Sequence, residues 1–360
     1  MARIDLVGVD KTLNDALPGT RQRATFSIHG LTLRVPDGQT MVVLGPSGCG
    51  KTTLLKIIAG LIPPDAGVVR YDDVDVHDVP PGQRHIGMVF QSYALYPHMT
   101  SRTNVLAYFL FRKKTPALDA LAREKYQRTS ELMGVELAAL LDRKPATLSG
   151  GEQQRVALGR CITRDARVFL VDEPFANLDQ ALREKYRVNL KILLRQFNIT
   201  TVYVTHDHHE ALILADLIAV MNRGRIEQVG TAQQIYEEPK NVFVAGFLNL
   251  HTGGPPISLL GAVNVPGAAA PADALVGVRP EDVALSPTGG VGGVVIAKLA
   301  MPPLDTVVLT VRVSEHDVHA RVPAAAGVAV GDRVRLVFKR YHVFDRVSGA
   351  RLDSVVAAEP

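Results

Sequence analysis

Apolar positions in the first two thirds of the chain follow two alternating rhythms. Thr40–Leu44, Arg167–Val171 and Thr201–Thr205 are short, nearly continuous apolar runs. Such runs suit strands buried on both faces of a mainly parallel sheet. Between the last two runs, Tyr186, Leu190, Leu193, Leu194 and Phe197 recur at helical spacing. Arg183, Lys185, Arg187 and Arg195 fall among the other positions and read as the wet side of an amphipathic helix. Strand, helix, strand implies a right-handed crossover and an α/β fold.

The rhythm changes near Thr252. Residues 252–272 are rich in Gly, Pro and Ala and have no helical period, so they read as a linker or a loop-rich domain entry. Beyond them, Val307–Val313 and Arg333–Phe338 are β-rich, with a Gly331-Asp332 turn signal before the second. Closely spaced short strands predict a small barrel or sandwich. The expected domains are therefore residues 1–238, α/β, and 239–360, all-β. Two domains also suit 360 residues. His316, His319 and His342 lie in the β-type sequence and read as surface positions. The most apolar later run, Ala211–Met221, is interrupted by Asp216 and is far shorter than a membrane span. The N-terminus has no long apolar core of a secretion signal. Two cysteines, Cys49 and Cys161, exclude a disulfide framework and fit a reducing compartment, so the expectation is a soluble, intracellular protein. A net charge of +4 is too small to argue for nucleic acid as a partner.

Three motifs carry candidate chemistry. Gly45, Pro46, Ser47, Gly48, Cys49, Gly50, Lys51 and Thr52 match G-x-x-x-x-G-K-[ST] between a predicted strand and a predicted helix. In that context the glycines let backbone N–H groups curl around phosphate oxygens, and the helix N-terminus adds a favourable dipole. Lys51 supplies a point charge to the β and γ phosphates, and the Thr52 hydroxyl is placed to ligate Mg²⁺. Val168–Glu173 is an apolar strand ending in two carboxylates. Asp172 is the candidate Mg²⁺ ligand and Glu173 the candidate general base, since adjacent strand residues point in opposite directions. Leu148–Arg155 reads LSGGEQQR, where a serine and two glycines open a helix and make a second anion-binding terminus.

Taken together, these residues resemble the ATP-binding-cassette (ABC) ATPases over about residues 1–248. LSGGEQQR is similar to that family's signature motif. Gln91, in Val89–His98, fits the Q-loop, Phe175–Asp179 the D-loop, and Thr205-His206-Asp207 the switch-histidine loop. The resemblance implies ATP and Mg²⁺ as ligands and a P-loop NTPase fold with a helical subdomain inserted at about 92–155. It adds Thr53 and Asp179 to the nucleotide-binding set and Gln91 to both the Mg²⁺ ligands and the catalytic groups. His206 would contact the γ-phosphate beside the base Glu173. Ser149, Gly150 and Gly151 would cap the ATP of a second subunit, so one chain implies a homodimer or a pair with a close paralogue. One family element is missing: relatives stack adenine on an upstream aromatic residue, yet residues 12–25 contain no Trp, Tyr or Phe. Phe26 and Tyr71 are the remaining candidates.

The C-terminal third resembles bacterial importers. Ile235–Phe247 is similar to their exit from the ATPase domain, and Gly277–Asp282 to the start of an oligonucleotide-binding-like barrel, the TOBE domain. His342–Asp345 with Gly349 resembles the carbohydrate importers of maltose and glycerol-3-phosphate type. That likeness implies two separate permease subunits, with Tyr93 and Tyr96 beside the groove that receives them. It also implies an extracytoplasmic solute-binding protein acting indirectly, and a place on the cytoplasmic face of the membrane. Polyamine, ferric iron and oxyanion importers share the architecture. Chromosomal and repair ATPases of this family carry a coiled coil or zinc modules between Gln91 and Ser149, where this chain has neither. Intact Lys51, Asp172, Glu173 and His206 argue against a purely regulatory relative.

Overall fold

A computed structural model of the chain describes residues 2–16, 23–164, 166–175, 180–248, 257–261, 270–271, 273–301 and 305–356. They form two compact units, Met1–Ala232 and Gln233–Pro360.

The first unit is built on one largely parallel sheet. Its strands are β3 (Thr40–Leu44), β6 (Ile86–Val89), β7 (Val168–Asp172), β8 (Thr200–Thr205), β9 (Leu217–Asn222) and β10 (Arg225–Gly230). They lie in the order β10-β9-β3-β8-β7-β6, with only β10 antiparallel to its neighbour. Every residue of β3, β7 and β8 is buried, which is why these runs are apolar without alternation. The register aligns Leu44 with Thr205 and Asp172 with Val204, so the three strands end at one edge. A second, antiparallel sheet of β1 (Ile4–Ala16), β2 (Arg23–Val35), β4 (Ala66–Tyr71) and β5 (Val74–Asp75) closes the core from one side.

The helices of the first unit are α1 (Lys51–Ala59), α2 (Ser101–Val105), α3 (Ala107–Leu110), α4 (Pro116–Ala138), α5 (Gly150–Thr163), α6 (Gln180–Phe197) and α7 (His208–Leu214). Val105, Leu137, Leu140, Leu141, Leu148 and Val156 form a small core of their own between β6 and β7 in sequence. Helix α6 departs from the expected wet side. Leu190 and Leu194 are buried, but so is Arg187, one turn before Leu190, while Val188 and Ile192 are exposed.

In the second unit, α8 (Ala232–Glu237) and α9 (Val242–Phe247) lead into two antiparallel sheets. The first contains β11 (Ser258–Gly261), β12 (Leu275–Val278), β18 (Arg340–Phe344) and β19 (Arg351–Val356) in the order β11-β12-β18-β19. The second contains β13 (Val283–Ser286), β14 (Val291–Met301), β15 (Thr306–Val313), β16 (His316–Pro323) and β17 (Arg333–Phe338) in the order β13-β17-β14-β15-β16. The two share one apolar core. Among the described residues, no helix is long and apolar enough to cross a membrane.

His342 was expected at the surface and is buried instead. The reason is topological: β18 is an interior strand between β12 and β19, and the imidazole Nδ1 lies 2.8 Å from Ser354 Oγ on β19. Burial, reinforced by the positive charges of Arg279, Arg351 and Arg340, lowers its pKa from 6.5 to about 4. The unfolded chain takes up a proton below about pH 6.5, whereas the folded chain resists until about 4. Stability from this group is thus complete above the unfolded value and falls with pH across that window, by on the order of 3 kcal/mol at its lower end. His342→Gln should therefore be least harmful in acid. Urea denaturation should show the variant gaining about 2–3 kcal/mol relative to wild type between pH 7 and pH 4.5. An unchanged difference would mean that His342 titrates normally.

Candidate functional site

The loop between β3 and α1 is a tight arch over the edge of the parallel sheet. Gly48 and Gly50 have φ of 78° and 106°, a region that other residues rarely enter. Gly45 is fixed by space instead: a Cβ there would lie 2.3 Å from the Met221 carbonyl oxygen. The turn after β9 backs the arch again, the Gly224 N–H donating to the Cys49 carbonyl (3.0 Å). Cys49 is buried, so its thiol packs inward and only its backbone belongs to the arch. Ser47, Gly48 and Thr52 are exposed at the mouth, with Pro46, Gly50 and Thr53 partly so.

Lys51 is buried at the start of α1, and its ammonium donates to the carbonyl oxygens of Gly45 (2.9 Å) and Pro46 (3.1 Å). Among the described residues no carboxylate forms an ion pair with it. A buried cation held only by carbonyl dipoles attracts an anion strongly. The Thr52 hydroxyl donates to Asp172 Oδ1 (3.1 Å) at the end of β7. Burial, and secondarily the neighbouring Glu173 charge, raises the Asp172 pKa. The hydroxyl and carboxylate are hard oxygen donors that suit Mg²⁺. No group of three or more His, Cys, Asp or Glu able to hold a metal occurs among the described residues. Remaining ligands would have to come from phosphate oxygens or water, the usual arrangement for this ion.

One residue beyond Asp172 the chain turns sharply. Glu173 has φ of 41°, and its N–H reaches the Val204 carbonyl on β8 (3.1 Å). That turn brings Glu173 Oε1 to 3.1 Å from His206 Nδ1, just past the end of β8. The imidazole is the exposed partner and the carboxylate the more sheltered one. Lys51, Thr52, Asp172, Glu173 and His206 thus converge at one sheet edge. Gln91 sits in the loop after β6, the strand beside β7 with Val89 opposite Val171, and is exposed. Asp179 lies outside the described residues.

Ser149, Gly150 and Gly151 belong to another surface. Ser149 caps α5 in a reciprocal box: its N–H donates to Glu152 Oε2 (2.7 Å), and its Oγ accepts from the Glu152 N–H (3.4 Å). Among the described residues no hydrogen bond or ion pair links these three to Lys51, Thr52, Asp172, Glu173 or His206. Gly151 is buried beneath Tyr186 of α6, where a Cβ would lie 2.2 Å from the ring.

Tyr93 and Tyr96 part company. Tyr93 is buried, and its hydroxyl donates to the Pro174 carbonyl (2.9 Å), immediately after Glu173. Arg160 of α5 donates to the Tyr93 and Ala94 carbonyls at 2.9 and 2.7 Å. Tyr96 instead lines a cleft of about 700 Å³ together with Phe90, Tyr108, Phe111, Arg112 and Arg164. There two guanidinium groups lie over the Tyr108 ring, Arg112 at 4.2 Å and Arg164 at 5.2 Å from its centre. Of the two aromatic candidates for a base, Tyr71 is buried with its hydroxyl on the Ile58 carbonyl (2.8 Å). Phe26 is partly buried against the core, its ring facing Gly50 of the arch. Spacing alone could not reveal Arg187, whose side chain is buried, or Arg160, which reaches across to the loop after β6.

The ABC transporter family model matches residues 28–176. The chain is 39% identical to the trehalose/maltose import ATP-binding protein MalK of Thermococcus litoralis, over 97% of this chain and 99% of that protein. It is 44% identical to the sn-glycerol-3-phosphate import ATP-binding protein UgpC of Rhizobium meliloti, over 79% of each. Among solved structures it resembles the dimeric structure of MJ0796, a bacterial ABC transporter cassette, with a TM-score of 0.53 and 30% identity, over 63% of this chain and 98% of that one. A post-hydrolysis dimer of the same cassette with ADP and Pi gives a TM-score of 0.51 at 29% identity, with the same coverage.

The packing of Tyr186 on Gly151 yields a direct test. Gly151→Ala should lower stability by about 1–3 kcal/mol, the usual cost of overpacking. Adding Tyr186→Ala should recover part of that loss, which urea denaturation of the two single variants and the double variant will show. Strict additivity would mean that the ring does not set the space at Gly151.

Proposed function

Because the chain belongs to the ABC transporter family as an import ATP-binding subunit, we propose that it hydrolyses ATP to drive uptake of a carbohydrate or glycerol-phosphate-like solute through separate permease subunits. The substrate class rests on the relatives' names, trehalose/maltose and sn-glycerol-3-phosphate importers. The observation that carries the chemistry is the convergence of Lys51, the Thr52–Asp172 pair and the Glu173–His206 pair on one sheet edge.

In this reading the backbone N–H groups of residues 47–53 and the Lys51 ammonium hold the ATP phosphates. Thr52, Asp172 and Gln91 are the candidate Mg²⁺ ligands. The bound ion would neutralise charge on the β and γ phosphates. Glu173 accepts the proton of a water attacking the γ-phosphorus as the bond to the β-phosphate oxygen breaks. His206, one hydrogen bond from that carboxylate, orients it and contacts the γ-phosphate. Ser149, Gly150 and Gly151 act on the ATP of a second subunit, which agrees with their separation from Lys51 here and with the dimeric form of the related cassette. Asp179, in the D-loop sequence, is a further candidate for the nucleotide-binding set. Phe26 is the remaining aromatic candidate near the arch for contact with adenine.

The cleft between Tyr96 and Tyr108 suits a permease segment. Phe111 is 63% exposed at its rim, and Arg112, Arg160 and Arg164 give it a positive border. Such a surface fits an amphipathic helix bearing an acidic residue. Docking there would hold the chain at the cytoplasmic face of a membrane. The solute-binding protein would act through the permeases. We assign residues 1–238 to the ATPase domain, with a helical subdomain at about 92–155, and residues 239–360 to a TOBE-like β domain.

Glu173→Gln should preserve ATP binding and lower turnover by about 10²–10⁴-fold, the usual worth of a positioned base. Steady-state phosphate release and nucleotide titration of the purified variant will check it. Near-normal turnover would remove Glu173 from the role. A chain ending at Ala232, where the first compact unit ends, should fold cooperatively and bind Mg-ATP, measured by calorimetry. Loss of either would place essential ATPase structure beyond that point.

A further inference from the structure

Arg187 occupies an unusual place. Its guanidinium, projecting from the middle of α6, is buried against the loop that follows β8. Taking a guanidinium out of water costs several kcal/mol unless carboxylates face it closely. Two do: Arg187 Nη2 is ion-paired with Asp207 Oδ2 and lies 3.8 Å from Glu210 Oε1. Glu210 is itself buried and accepts a hydrogen bond from the Tyr203 hydroxyl (2.7 Å) on β8.

Asp207 is the member of this cluster that constrains the backbone around His206. The Asp207 N–H donates to Thr205 Oγ1 (3.0 Å), and Asp207 Oδ1 caps α7 by accepting from the His209 (2.8 Å) and Glu210 (3.4 Å) N–H groups. One Asp207 oxygen therefore holds α7 and the other is held by α6. Between the fixed residues Thr205 and Asp207, His206 is the exposed one, its ring reaching out to Glu173.

We propose that Arg187 is a positioning residue for the switch histidine, anchoring Asp207 so that the His206 ring stays beside Glu173. The inference rests on the reading of Glu173 and His206 given above. It separates binding from chemistry, because Arg187 touches neither the arch at 45–52 nor Asp172 in the contacts among the described residues. A loosened His206 loop should slow the chemical step, since small misplacements near reacting groups cost large factors in rate.

The experiment uses the full-length chain and steady-state ATP hydrolysis, with Mg-ATP affinity measured separately by calorimetry. Arg187→Met should lower kcat by about 10–10²-fold and leave ATP affinity within about threefold. Combined with His206→Ala, it should cause little further loss, because a residue acting through His206 has nothing left to position. Asp207→Asn guards against a folding failure of Arg187→Met: asparagine keeps the cap on α7 but removes the ion pair. It should show the same kcat-selective, non-additive loss. Additive losses with His206→Ala, or a matching loss of ATP affinity, would overturn the proposal while leaving the site reading intact. Wild-type turnover in His206→Ala alone would overturn both, and is told apart by that single variant.

Discussion

The parallel pairing of β3, β8 and β7 is the constraint on which the site depends. Their hydrogen bonds put Leu44 beside Thr205 and Val204 beside Asp172, so three loops distant in sequence leave the sheet at one edge. Open parallel sheets place ligands beyond the carboxyl ends of their strands for this reason. The chemistry needs a cation, an oxygen pair for a metal ion and a carboxylate beside an imidazole. Lys51 and Thr52 follow β3 through the arch, Asp172 ends β7 with Glu173 just past it, and His206 is the first residue past β8. A shift of one residue in register would turn the strand faces over and scatter these groups.

Three of the nine described non-glycine residues with positive φ lie in the loops that leave β6 and β7 at this edge. Glu173, Tyr93 and Ala94 have φ of 41°, 60° and 46°. Left-handed geometry costs a residue with a side chain roughly 1–2 kcal/mol. Surrounding contacts hold each one: the Val204 carbonyl at Glu173, Pro174 and Arg160 around Tyr93, and Arg160 again at Ala94. The hydrogen bond from Tyr93 to Pro174 joins the loop after β6 to the turn that aims Glu173. A helical residue far along the chain, Arg160, fastens that joint through the Tyr93 and Ala94 carbonyls.

Much of this was legible in the sequence, and the failures have a common cause. The three buried strands and the α6 helix follow from apolar runs and periodicity, because burial on both faces leaves an unambiguous signature. The arch, Asp172, Glu173 and His206 follow from motifs that fall where their strands end. Arg187, His342 and the inward turn of Tyr93 were not legible. A periodic pattern reports the average character of a face, and a charged or amphipathic residue looks wet until its partner is known. Arg187 needs Asp207 and Glu210, and His342 needs Ser354, partners fixed only by tertiary structure. The adenine contact stays unread for a different reason: the family position is empty of aromatics, and Tyr71, one of the two substitutes, is committed to the Ile58 carbonyl.

The support that the Met221–Gly224 turn gives to the arch has a consequence for synthesis. Gly45 is shaped by the Met221 carbonyl and Cys49 is tied to Gly224, about 170 residues after Lys51. At roughly 5–20 residues per second, a ribosome needs roughly ten to thirty-five seconds to cover that distance. Throughout that interval the nascent chain carries the phosphate-binding sequence without the wall that shapes it. The apolar β3 strand likewise lacks its neighbours β8 and β9 and must be kept from other chains. Nucleotide reaching the chain in that interval would meet an arch without its Met221 and Gly224 contacts. The arch is complete only when the last parallel strand, β9, and the turn after it arrive.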